Sequence, residues 1–184
     1  MTARVAGLRE GTVRMRTAPA RSVATTPVTS FGPGRPEPAG LPHADASYSG
    51  RPDTLPAAML DGDPATGWSN AFAKAATALL PAFSGARAAD WVSVDFGRSR
   101  DLDRVAVSFT VDSTHARPAE AAVEVWDGRA YVPVTGARTD WATASDAPTV
   151  ITFDRVRGSR LRLRLTSAYP GGAGGAVRIS RLDI

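Results

Sequence analysis

Cysteine is absent from the 184 residues, so no disulfide framework, thiolate metal site or cysteine nucleophile is available. A small scaffold held together by bridges is excluded, and the redox compartment stays open. Histidine is nearly absent: His43 and His115 have no partner at ligand spacing, which gives little support to a zinc site or a histidine-based triad. Glutamate is limited to Glu10, Glu37, Glu120 and Glu124, the first two outside the main folding region. Glycoside hydrolysis needs two carboxyl groups facing each other across a cleft, and nothing singles out such a pair. Long apolar runs are missing too. No stretch of about 18 apolar residues could span a membrane, and the N-terminus lacks the 7–15-residue apolar run of a secretory leader.

What is present is an ordinary globular composition, with 43% hydrophobic residues in a chain of one-domain length. The formal charge is +4, and Lys74 is the one lysine among 22 basic residues. With the abundant alanine, this bias reads as GC-rich coding. Six arginines and three acids lie in residues 1–50, leaving 16 basic and 15 acidic residues beyond them. The later region is almost neutral, which argues against nucleic acid as a partner.

Gly11 to Thr17 alternates like a strand, and 1–24 reads as the tail of a preceding module or leader. Residues 25–45 are a Pro/Gly-rich linker, with Pro27, Pro33, Pro36, Pro38 and Pro42 favouring extended, solvated chain. From 46 to 184 the apolar spacing becomes two. Val92, Val94 and Phe96 share a face, and Gly97 to Asp103 is expected to turn the chain. Val105, Val107 and Phe109 then share a face, as do Val123 and Val125. Asp127-Gly128 marks a hairpin into Tyr131 to Val134, and Leu161, Leu163 and Leu165 alternate with arginines. Ala71 to Leu80 is the one helical candidate. Val177 and Ile179 have opposite parity to Leu182 and Ile184, so a β-bulge is expected near Ser180 or Arg181. The fold class is all-β, an antiparallel β-sandwich of jelly-roll type with eight or nine strands.

Other features have plain readings. Gly171 to Gly175 lacks the Lys-Ser/Thr ending of a phosphate loop, and the Arg160, Arg162, Arg164 stripe reads as a solvated face. Trp91, opening a strand directly after Asp90, is expected to pack in the core, and Trp68 is expected to be structural. Trp126 lies opposite in parity to Val123 and Val125, and Trp141 falls in a polar loop.

Four blocks in order carry a resemblance: Met59-Leu-Asp-Gly-Asp-Pro-Ala-Thr-Gly-Trp-Ser69, Asp90-Trp-Val-Ser-Val-Asp-Phe-Gly97, Val123-Glu-Val-Trp-Asp-Gly128 and Arg160-Leu-Arg-Leu-Arg-Leu165. Over about residues 45 to 184 the chain resembles the discoidin, or coagulation factor V/VIII type C, group. That group has the galactose-binding-domain-like fold and includes the family-32 carbohydrate-binding modules. The connection from Trp68 to Pro81 is similar to the C-terminal region of actinobacterial family-2 glycoside hydrolases of β-galactosidase type.

The resemblance implies a secreted, non-catalytic accessory module that binds carbohydrate, with a galactose-containing glycan as candidate ligand and a parent enzyme's catalytic domain as intramolecular partner. The alternative is a purely structural domain packed against that catalytic domain. By position, Asp112, His115, Arg117 and Tyr169 fall in the loops where such modules bind sugar, although no Asn follows Arg117. The resemblance also implies a structural Ca²⁺ at Asp61, Asp63 and Thr66, with a carbonyl near Ala58. Ca²⁺ takes 6–8 oxygen ligands, and a tight Gly-containing loop can supply several. Arg181 stands where the group usually has a ligating Glu. It either weakens the site or replaces the ion with a salt bridge to Asp61 or Asp63.

Overall fold

A computed structural model describes residues 2, 3, 11, 12, 42–72 and 85–184. The chain divides into two compact units, Met1–Glu37 and Pro38–Ile184. In the first, β1 (Thr2–Ala3) pairs antiparallel with β2 (Gly11–Thr12). The rest of the alternation to Thr17, most of the 25–45 linker, and the helical candidate beyond Phe72 lie outside the described residues.

The second unit is a β-sandwich. Its strands are β3 (His43–Ala46), β4 (Trp68–Ser69), β5 (Ala89–Phe109), β6 (Glu120–Trp126), β7 (Tyr131–Pro133), β8 (Arg138–Asp140), β9 (Pro148–Thr166) and β10 (Arg178–Asp183). A 3-10 turn, Pro56–Met59, is the only helical element among its described residues. Every strand pairing is antiparallel, and the order is β4-β10-β5-β9-β6-β7, with β3 beside β5 and β8 beside β9.

Two long strands build both layers. The first part of β5 and the last part of β9 pair with β3 and β6, whereas the last part of β5 and the first part of β9 pair with β10 and β8. Gly97 to Asp103 therefore does not reverse the chain. Register shifts between Asp95 and Arg100 and between Leu102 and Arg104 bend a continuing strand from one layer into the other. Gly97, at φ 68°, supplies a left-handed residue in that bend.

The alternating residues close the core. Val92, Val94, Val105, Val107 and Phe109 from β5 meet Leu161, Leu163 and Leu165 from β9, all almost wholly buried. Each such side chain contributes about 1.5–3 kcal/mol relative to exposure. Trp68 is also buried, and its indole N–H donates to the Tyr48 carbonyl at 2.9 Å. Trp91 differs from expectation: its parity opposes Val92 and Val94, so it lies on the outer face, 5.9 Å from the Arg162 guanidinium. Residues 43–45, read as linker from composition, are strand, because β3 completes the edge beside β5. The expected bulge is present, with a register shift between Ile179 and Arg181 that buries both Ile179 and Leu182.

Candidate functional site

Three segments remote in sequence meet where β4 and β10 pair. Arg178 stands opposite Ser69, the Asn70 N–H donates to the Val177 carbonyl, and Asn70 Oδ1 accepts the Val177 N–H at 2.8 Å. The loop between β5 and β6 joins them through an Ala116 N–H donated to the Ala176 carbonyl at 2.8 Å. Between these segments lies a cleft of about 310 Å³. Arg51, Arg178, His115 and Phe72 line it, with the polar side chains of Thr54, Ser69 and Thr114.

A carboxylate, imidazole and hydroxyl run in series through the wall. Asp112 accepts the N–H groups of Thr114 and His115 at 2.7 and 2.8 Å, and both its oxygens lie 3.0 Å from His115 Nδ1. His115 Nε2 is 2.9 Å from Ser69 Oγ, which also accepts the Ala71 N–H at 3.0 Å. Burial pushes the Asp112 carboxyl up, but the two backbone donors and the imidazole more than offset it and hold it below the ordinary carboxylate value. The order resembles a nucleophile relay. Ser69 is instead a buried node tied on both sides, and the series fixes the imidazole in the cleft wall.

Of the four residues placed in the sugar loops from sequence, Asp112 and His115 come together and Arg117 and Tyr169 do not join them. Arg117 turns to the chain after β8, donating from Nη1 to the Ala142 carbonyl and from Nη2 to that of Thr143 at 3.1 Å. Tyr169 is 62% exposed and is not in the cleft lining. Its loop packs on residues near 86, where Ala86 exchanges backbone hydrogen bonds with Gly171 and Gly172.

Sequence reasoning missed Arg51, Ser69 and Arg178. The Arg51 fork grips Asp53 at 2.8 and 2.5 Å and holds that carboxyl below its ordinary value. Arg178 Nη2 donates to the carbonyls of Ala65 and Thr66 at 2.8 and 3.1 Å. The available signal was the parity of Arg178, which is opposite to that of Val177 and Ile179.

The Asp61 to Thr66 loop folds on itself. Thr66 Oγ1 lies 3.0 and 2.8 Å from the Asp61 carboxylate oxygens, 3.0 Å from the Asp63 carbonyl and 3.3 Å from the Ala58 carbonyl. One hydroxyl proton cannot serve four oxygens, and this set of carboxylate, carbonyl and hydroxyl oxygens suits Ca²⁺. The Asp63 carboxylate accepts the Ala65 N–H at 2.9 Å. The salt bridge expected from Arg181 to Asp61 or Asp63 is not formed. The bulge turns Arg181 outward onto Asp183 at 2.8 Å, and buries Ser180 instead.

The arginine stripe of β9 is paired with carboxylates. Arg160 binds Asp95 at 2.6 Å, Arg162 and Arg164 lie 2.5 and 3.6 Å from the buried Glu124, and Arg162 also covers Tyr131 at 4.2 Å.

A family model described as F5/8 type C domain matches residues 43–179. The chain belongs to the F5/8 type C family. No curated protein matches it. Solved structures with the fold of this F5/8 type C domain include the Streptococcus pneumoniae β-galactosidase BgaA, at 16% identity and TM-score 0.62, covering 78% of this chain and 96% of that one. The family 32 CBM of C. perfringens NanJ, in complex with galactose, has 16% identity and TM-score 0.57, covering 77% and 90%. CpGH89CBM32-5 from Clostridium perfringens, in complex with GalNAc-β-1,3-galactose, has the same identity and TM-score, covering 77% and 92%. At this identity the F5/8 type C domain shares their fold.

Proposed function

We propose that this F5/8 type C domain is a non-catalytic carbohydrate-binding accessory module of a secreted glycoside hydrolase, with a β-galactosidase-like parent. The observation that carries the reading is the cleft at the junction of β4 and β10, where Phe72, its ring 5.4 Å from that of Tyr48, lines the wall together with fixed polar groups. Aromatic faces suit the C–H faces of sugars, and neighbouring polar groups read the hydroxyls. Two C. perfringens modules of the same fold hold galactose or a galactose-containing disaccharide, which supports the ligand class. The Trp68 to Pro81 connection and the BgaA likeness support the parent. A shallow site of weak affinity gains from covalent linkage, which raises the effective concentration of the catalytic domain at its substrate.

A structural Ca²⁺ belongs to the same proposal. Asp61 and Thr66 side chains with the Ala58 and Asp63 carbonyls would hold it, with Asp63 shaping the loop. Bound there, the ion would neutralise crowded oxygens and tie the 3-10 turn to the loop before β4.

The test is a glycan array of neutral and acidic glycans, followed by calorimetric titration of the best hits. His115→Ala is expected to weaken binding at least tenfold while leaving the far-ultraviolet circular dichroism unchanged. If the folded chain captures no glycan, the proposal is wrong.

A further inference from the structure

Donors and acceptors in the cleft are out of balance. Sugar hydroxyls both give and take hydrogen bonds, so a site for a neutral sugar offers both kinds of partner. Here the nearby carboxylates are already committed, and the acceptors left in the lining are neutral hydroxyls such as those of Thr54 and Thr114. Asp112 is spent on two backbone N–H groups and the His115 ring, and it lies outside the lining. Asp53, also outside the lining, is gripped by Arg51. Among the described residues no carboxylate lines the cleft, and both ring nitrogens of His115 are engaged, on Ser69 and Asp112.

The unspent charged groups are guanidinium donors. Arg51 uses Nε and Nη2 on Asp53, so Nη1 makes no hydrogen bond among the described residues. Arg178 is the more telling residue. Arg117, Arg162 and Arg178 are the half-buried arginines among the described residues, and of these Arg162 has a carboxylate partner. Arg178 lies in the cleft wall with two neutral carbonyls as its hydrogen-bond partners, no ion pair to a carboxylate among the described residues, and a buried Nε without a hydrogen-bond partner. Asp53 and Asp146 feel the Arg178 charge, but Asp53 is bonded to Arg51 and Asp146 to three hydroxyls, so neither makes direct contact with the guanidinium, and an oxyanion is the partner that planar group binds best.

We infer that the cleft selects an anionic sugar residue, one bearing a carboxylate or a sulfate ester, with Arg178 and Arg51 as the specificity-determining residues and the Phe72 ring beside the sugar. The inference rests on the carbohydrate-binding reading of the same cleft. Neither guanidinium needs to move a proton or change its charge. The selectivity is electrostatic, so it weakens as salt screens the pair.

The experiment is isothermal titration of the full chain with three probes of similar length: oligogalacturonate, a sulfated galacto-oligosaccharide and an uncharged galacto-oligosaccharide. At least one acidic probe is expected to bind tenfold or more tightly than the uncharged one, and the two acidic arms separate carboxylate from sulfate. Raising NaCl from 50 to 500 mM should reduce that ratio several-fold. Arg178→Gln and Arg51→Gln should each bring acidic binding down toward the uncharged level. Arg51 is half exposed and braces no core residue, so its variant keeps the test open if Arg178→Gln disturbs the Ala65 to Thr66 loop. Equal or tighter binding of the uncharged probe would overturn the anionic selectivity and leave the carbohydrate reading standing. Failure of all three probes to bind a chain that still melts cooperatively would overturn the anionic selectivity, and failure on the glycan array as well would overturn the carbohydrate reading.

Discussion

Asp146 sits at φ 59°, a left-handed conformation that a side chain other than glycine enters at a cost. Its neighbours explain why it stays. The Asp146 N–H donates to the Phe109 carbonyl at 2.9 Å, and its carboxylate collects the hydroxyls of Thr110, Ser180 and Ser145 at 2.6, 2.7 and 2.8 Å. Burial pushes the Asp146 carboxyl up, but the three hydroxyls and the charge of Arg178 more than offset that and leave it below the ordinary value. A carboxyl lower in the folded than in the unfolded state stabilises the fold above its unfolded pKa, about 3.9. That stability is lost as pH falls through the folded value. Asp112 acts with the same sign. Asn at 146 tolerates the left-handed backbone and keeps an oxygen acceptor, but has no charge to lose. Asp146→Asn is therefore expected to be less stable at pH 7 and to show a flatter fall in stability below about pH 4. Urea melts across pH 2–7 test this, and a slope parallel to that of the parent chain would refute it.

At the scale of elements, β10 joins the fold to the candidate site. Its bulge lets Ile179 and Leu182 face the core together and places the Ser180 hydroxyl on Asp146. Its first residues form the cleft wall beside β4. Gly67 allows that closeness: it lies at φ 152°, and a Cβ there would stand 2.4 Å from the Ile179 carbonyl oxygen. Gly67→Ala must strain the backbone, push β4 from β10, or both. The strain alone costs roughly 1–3 kcal/mol. Thermal melting should show a drop of several degrees, with weakened ligand binding in the same protein, whereas an unchanged melt would show that the two strands can separate freely. The bulge was legible because four apolar residues of mixed parity cannot share a regular strand. The Leu161, Leu163, Leu165 alternation was legible for the converse reason, an unbroken period of two. The continuation of β5 through Gly97 to Asp103 was not, because a glycine among charged residues marks a bend between layers as well as a reversal. Trp91 was misplaced because its size argued for burial while its parity argued for the outer face, and parity prevailed.

At the scale of the molecule, how readily each site shows in the sequence depends on sequence separation. Asp112 and His115 are three apart and their hydrogen bonds are local, so assigning their loop to the site brought both of them in together. Arg51, Ser69 and Arg178 meet only because β4 lies on β10, and no local pattern records that. Arg117 was drawn into the site by chain proximity, but the carbonyls of Ala142 and Thr143 hold it elsewhere. The oxygen-rich loop is the opposite case: Asp61, Asp63 and Thr66 lie within six residues, and their assembly around one hydroxyl follows the motif. What the motif could not show was the fate of the arginine at the usual Glu position. Arg181 turns to Asp183, so that position gives the loop neither a carboxylate nor the salt bridge that could have replaced the ion. Meanwhile Arg178 occupies the carbonyls of Ala65 and Thr66. The proposed Ca²⁺ therefore has fewer protein ligands than it accepts and completes its shell with water, so binding is expected to be weak and the stabilisation concentration-dependent. At a free Ca²⁺ of 100 times Kd the gain is about 2.7 kcal/mol. For a unit of this size each kcal/mol moves Tm by roughly 2–4 °C. Adding EDTA to the full chain held at that excess of Ca²⁺ should lower Tm by roughly 5–10 °C, and excess Ca²⁺ but not Mg²⁺ should restore it. Asp61→Asn should shrink the difference. Identical melts with and without EDTA would mean that the Thr66 hydroxyl network holds the loop without an ion.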